Sequence, residues 1–197
     1  MIKVLFICTG NICRSPMAEF IFKDMLTKKG LDQAFFVASA ATSSEEIYRG
    51  VGNPVYPPAR KILAAHGLSC EGKRAVQLRR SDYEKYDYLI CMDRYNIQNA
   101  RIMLGGDPQG KLHKLMEYAQ QPMDENLPDT GYTRQGREAA DLQHNRKRNA
   151  AADSWYTSKV PDVADPWYTG DFETAYRDIV DGCEGFLRYL EEKGDCS

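Results

Sequence analysis

No stretch of this 197-residue sequence approaches the roughly 20 consecutive apolar residues that cross a bilayer as a helix, so no membrane association is expected. The N-terminal apolar run, beside a lone lysine, is too short for the core of an export signal and lacks a small-residue cleavage site; it reads as a buried strand. An excess of one charge is missing too. The formal net charge is -2 and only "NRKRN" at 145–149 clusters basic residues, which gives no electrostatic footprint for nucleic acid. Histidine is scarce, at three residues, and none stands at metal-ligand spacing from the six cysteines, which form no CxxC pair. Neither a metal nor any other cofactor is expected. The absence of a disulfide pattern fits a reducing, cytoplasmic location, and no internal repeat is visible.

What is present is the balance of a globular chain, 43% hydrophobic and 27% charged, with enough apolar surface for one core and a length suited to a single domain over 1–197. "IKVLFIC", "AFFVAS" at 34–39 and "YDYLICMD" at 86–93 are short, continuously apolar runs of the kind covered on both faces of a parallel sheet, and "KLHKLMEY" at 111–118 is a weaker fourth. Helical periodicity follows Ser15-Pro16 and recurs at 55–66, 94–103 and 172–192. Strand and helix alternate, which predicts an α/β fold. From about 119 to 160 the chain turns polar and is broken by proline and glycine, and so reads as a mobile surface insertion or a functional lid.

Residues 8–15, "CTGNICRS", lie between the first strand and the first helix. A cysteine followed six residues on by an arginine is common by chance, so the spacing alone says little. The place says more, because the carboxyl end of a strand and the amino end of a helix form the anion-binding edge of open α/β sheets. Thr9, Gly10, Asn11, Ile12 and Cys13 can curl so that their amides converge on one phosphate, with Gly10 and Asn11 most tolerant of left-handed backbone. That field favours a Cys8 thiolate, the nucleophilic form; Arg14 adds a planar fork for phosphoryl oxygens, and Ser15 a hydroxyl for the sulfur. Cys8 as a small buried residue at a strand end accounts for the loop equally well.

A second motif, "DPWYTGD" at 165–171, bears on the choice. An aryl phosphate expels a phenolate whose conjugate acid has a pKa near ~10, so a carboxyl that protonates the leaving oxygen lowers the barrier. Asp165 is the candidate, with Trp167 and Tyr168 offering flat faces for an aromatic ring. By itself the motif is more commonly a turn with two partly buried aromatics; only the two motifs together favour catalysis.

With "VLFICTGNICRSPMAE", "SAATS", "HGL", "YDYLICMD" and "DPWYTGDFETAY" the chain resembles the low-molecular-weight protein tyrosine phosphatase family nearly throughout, 119–160 excepted. The resemblance implies a four-stranded parallel sheet flanked by helices, with the phosphate loop after strand one. It implies Cys8 as nucleophile, Arg14 as phosphate ligand, Ser15 as support for the thiolate, and Asp165 as general acid and then general base. It further implies that Asn11, bonded to Ser39, holds the loop's shape, and that Cys13 is the family's second loop cysteine, able to pair reversibly with the nucleophile.

The sequence also departs from the family. No histidine stands in the turn "CEGKRAV", "SSEEIYRGVGNPVYPP" runs a few residues long, and Trp167 stands where tyrosine is usual. Ile12, Tyr48 or Tyr56, Trp167 and Tyr168 are the expected walls for a substrate ring. Relatives acting on phosphoarginine carry threonine where this chain has Ile12, so a phosphotyrosine protein is the expected partner, a tyrosine kinase among the candidates. The rival readings are a thiol-coupled arsenate reductase, which needs two further relay cysteines, and a phosphoprotein-binding module without turnover.

Overall fold

The computed structural model describes residues 1–119 and 160–194. In chain order these form β1 (Ile2–Cys8), α1 (Arg14–Lys28), β2 (Phe35–Ala41), a hairpin of β3 (Ile47–Tyr48) and β4 (Val51–Gly52), α2 (Pro57–Ala65), α3 (Asp82–Lys85), β5 (Tyr88–Cys91), α4 (Arg94–Leu104), β6 (Leu112–Lys114), α5 (Pro166–Thr169) and α6 (Phe172–Glu192). The main sheet has the order β2-β1-β5-β6 and every pairing in it is parallel. This is the α/β sheet flanked by helices that the alternating pattern predicts. The expected insertion at about 119–160 lies, apart from its two end residues, outside the described residues.

Burial on both faces explains why β1 is apolar at every position from Val4 to Cys8 rather than at every second one. Val4, Phe6 and Cys8 face one core and Leu5 and Ile7 the other. On the first face α1, α2 and α6 close over the sheet, with Phe22 of α1 centred 5.7 Å from Phe6 and 5.4 Å from Phe186. On the second, Ala100 and Leu104 of α4 pack with Leu78, Tyr83 and Leu89. The crossovers through α1, from β1 to β2, and through α4, from β5 to β6, therefore run on opposite faces of the sheet, and the strand order reverses between β1 and β5. Open α/β sheets bind ligands in the crevice beyond the carboxyl ends of two such strands. Strand alternation points Cys8, the last residue of β1, to the α1 side of that crevice.

Two elements differ from the sequence pattern. The run at 111–118 supplies only three strand residues before a single 3-10 turn at Leu115–Glu117. The turn sends Leu115 and Tyr118 under α6, where glycines make room: a Cβ on Gly182 would sit 2.5 Å from Leu115 Cγ, and one on Gly185 1.7 Å from the Tyr118 carbonyl oxygen. The β3–β4 hairpin was not legible as strand, being two residues a side. Its Gly52 lies so close to the turn at 73–76 that a Cβ would stand 1.9 Å from the Ala75 carbonyl oxygen.

Candidate active site

The loop after β1 is closed by its own side chains. Asn11 adopts φ 54, the left-handed region open to asparagine more than to most residues, and its side chain is fully buried. Its Nδ2 donates to Ser15 Oγ at 2.9 Å and to Ser39 Oγ at 2.8 Å, and its Oδ1 accepts from the Val76 N–H at 2.9 Å. All three bonds fix one orientation of the amide. Because Ser15 Oγ accepts from Asn11, its proton is available to Cys8 Sγ, 3.0 Å away, and the Asn11 N–H points at the same sulfur from 3.3 Å. The amides of Gly10, Ile12 and Cys13 make no hydrogen bond to another described group, so the start of α1 presents free donors. Thr9 is exposed and its Oγ1 accepts from Asn96 Nδ2 at 3.2 Å, tying the loop to α4. Cys13 occupies the N-cap position of α1; burial above all, with the potential of Cys8, pushes its thiol up, so it stays protonated at neutral pH.

Arg14 is the first residue of α1 and is only 4% exposed. Nη1 donates to Asp93 Oδ2 and Nη2 to Asp165 Oδ2, each at 2.7 Å, and the Val163 carbonyl accepts from Nη1 at 3.4 Å. Burial alone would lower the guanidinium's pKa, but the two carboxylates and Cys8 hold it above its ordinary value. Asp93 follows β5 and spends its other oxygen as the cap of α4, accepting from the Asn96 N–H at 2.7 Å. Asp165 in the same way caps α5, accepting from the Trp167 N–H at 3.1 Å.

Behind the loop runs a second chain of bonds. Ser39, on β2, accepts from Asn11 and donates to Glu19 Oε2 at 2.6 Å, and Lys73 Nζ meets the same oxygen at 2.7 Å. Lys23 holds Oε1 at 2.6 Å. Burial pushes the Glu19 carboxyl up, yet Lys73 and the hydrogen bonds from Lys23, Lys73 and Ser39 outweigh it and keep it below its ordinary value. The turn without a histidine thus contributes a lysine.

At the rim, Ile12 is half-buried and its carbonyl accepts from the Tyr56 N–H at 2.8 Å; the Tyr56 ring lies 5.7 Å from that of Trp167. Ile12, Tyr56 and Trp167 are therefore linked. Tyr48 is 72% exposed with Arg49 over its ring at 5.2 Å, and Tyr168 is 86% exposed; neither ring meets those three. Sequence reasoning missed Asp93, Glu19 and Lys73. Asp93 carried a signal, an acid between a buried strand and a helical run, whereas Glu19 and Lys73 are joined only by folding.

A buried cysteine and arginine on one strand-to-helix loop, faced by a carboxylate across a switch point, are the groups that one class needs, the cysteine-dependent phosphoric monoester hydrolases. Within that class the chain belongs to the low molecular weight phosphotyrosine protein phosphatase family, whose sequence model matches residues 3–138. That span ends before Asp165. A Bacillus subtilis relative, the low molecular weight protein-tyrosine-phosphatase YfkJ, is 39% identical over 142 residues, 72% of this chain and 88% of its own. Its crystal structure superposes with a TM-score of 0.73 at 33% identity, covering 98% of this chain and 96% of the other. The Pongo abelii low molecular weight phosphotyrosine protein phosphatase is 37% identical over 124 residues, 56% of this chain and 75% of its own. DARP, a drosophila arginine phosphatase, shares the fold with a TM-score of 0.68 and 26% identity over 95% of this chain and 97% of its own.

Proposed function

We propose that the chain hydrolyses phosphotyrosine in proteins through a cysteinyl-phosphate intermediate. The observation that carries this reading is the convergence of Cys8 Sγ, Ser15 Oγ, the Arg14 fork and the Asp165 carboxyl at the carboxyl end of β1. In the first step the Cys8 thiolate attacks phosphorus and the bond to the aryl oxygen breaks. The phosphoryl oxygens take over the Arg14 fork and the amides of the loop from Thr9 to Cys13, of which those of Gly10, Ile12 and Cys13 are free. Asp165, released from Arg14 as the phosphate enters and then holding a proton taken up from water, gives that proton to the departing phenolate. In the second step water attacks phosphorus, its proton passes to the Asp165 carboxylate, and the S–P bond breaks with the electron pair returning to sulfur. The Ser15 hydroxyl then stabilises the thiolate.

Asn11 and Ser39 keep the loop in shape. Ile12, Tyr56 and Trp167 form the linked side of the entrance, with Tyr48 and Tyr168 further out. The partner is a phosphotyrosine protein, a tyrosine kinase being one candidate, and the free cysteines fit work in the cytoplasm. The chain is read as one phosphatase domain over 1–197 with an insertion at about 119–160.

The test is steady-state hydrolysis of peptides bearing phosphotyrosine, phosphoserine or phosphoarginine. Selective turnover of phosphotyrosine is expected, abolished by Cys8→Ser and lowered about 10²- to 10⁴-fold by Asp165→Asn, the range that proton transfer contributes. Selective turnover of phosphoarginine would replace the substrate. No turnover of any phosphate ester would leave a binding module.

A further inference from the structure

Lys114 ends β6 and is the one buried lysine among the described residues, 5% exposed. An ammonium taken out of water is costly unless acceptors surround it. Here Nζ donates to the Val160 carbonyl at 2.6 Å and to Asp162 Oδ1 at 3.1 Å, and the same Asp162 oxygen accepts from the Arg94 N–H at 3.2 Å. Both acceptors lie on the segment that leads into Asp165. The residues between are fastened one after another: the Val163 N–H donates to the Met92 carbonyl at 2.9 Å, and the Ala164 N–H to Asp178 Oδ2 at 2.8 Å. Lys114 touches none of the reacting groups. Yet Asp162 is only three residues from Asp165, and a stretch so short and so fully bonded passes a displacement at one end on to the other.

We propose that Lys114 is a positioning residue: by holding Val160 and Asp162 at the end of β6, it sets where the Asp165 carboxyl stands relative to Arg14 and the Cys8 sulfur. It thereby governs proton delivery to the leaving oxygen, and so rests on the reading of Asp165 as the acid. A lysine that only stabilises the fold would, when lost, weaken turnover of every ester alike. A lysine that places the acid matters most where the leaving group needs a proton.

The experiment compares kcat/KM for phenyl phosphate, a poor leaving group, with that for p-nitrophenyl phosphate, whose leaving group departs with little help. Wild type, Lys114→Met and Asp165→Asn are measured, with the inhibition constant of inorganic phosphate as a check on the loop. Lys114→Met is expected to lose tenfold or more on phenyl phosphate, less than threefold on p-nitrophenyl phosphate, and to bind phosphate within about twofold of wild type. Equal losses on both esters, or none, overturn the proposal. If Lys114→Met does not fold, Asp162→Ala removes the acceptor and so cuts the same link from a less buried side, and is expected to separate the two esters by about threefold; no separation overturns the proposal as well. If Asp165→Asn itself fails to separate them, the reading of the acid falls, and Lys114's role with it.

Discussion

At Asn11 the backbone sits at φ 54, and three side-chain hydrogen bonds hold it there. One of its partners, Ser39, leans on Glu19, so a buried carboxylate 5% exposed stands at the base of the loop. Glu19→Gln keeps the shape and removes the charge, leaving Lys73 facing a neutral amide. Breaking a buried pair costs about 3–5 kcal/mol; since Lys73 is 12% exposed and can turn to water, a loss of about 2–3 kcal/mol is expected at pH 7. The sign with pH follows from the direction of the shift. Glu19 is held below its ordinary value of 4.5, so its contribution is fully present above that value and fades as pH falls through the lower folded value. The Tm gap between wild type and Glu19→Gln should be widest near neutrality and close on acidification below pH 4.5. A gap independent of pH would show that the charge is not what stabilises.

Among the elements, α6 covers one face of the sheet and at Gly185 lies directly against the backbone of Tyr118, beyond the end of β6. In an exposed helix interior, Gly→Ala is stabilising by about 1 kcal/mol. At Gly185 a Cβ would meet the Tyr118 carbonyl oxygen at 1.7 Å, which is backbone and cannot swing aside. Gly185→Ala is therefore expected to destabilise by roughly 3 kcal/mol, in the range of overpacked cores, lowering Tm by roughly 6–12 °C. An unchanged or raised Tm in thermal unfolding would mean that α6 docks less tightly. The long helices and long strands were legible because each buries a stripe or both faces, which leaves a period in the sequence. The β3–β4 hairpin, α3 and α5 were not, because elements of two to four residues are too short to carry one, and β6 was legible as a strand but not in its length of three residues.

For the molecule as a whole, the positive field of the site comes from Arg14 and loop amides, and among the described residues no group of three or more His, Cys, Asp or Glu is placed to hold a metal ion. Turnover of a phosphotyrosine peptide in excess EDTA is expected to stay within about twofold of that without it, and a larger loss would overturn this account of the field. The α/β class, the order of the long elements and the loop from Cys8 to Ser15 were determined by the sequence alone. They depend on neighbours in the chain, and local periodicity and turn chemistry write such features down directly. Only the tertiary structure decided that Arg14 meets Asp93 across 79 positions and Asp165 across 151, that Lys73 completes the support behind Ser39, and that Lys114 holds the approach to Asp165. Those partners are brought together by parallel pairing and crossover, and a contact made that way leaves no mark on the spacing of the residues that make it.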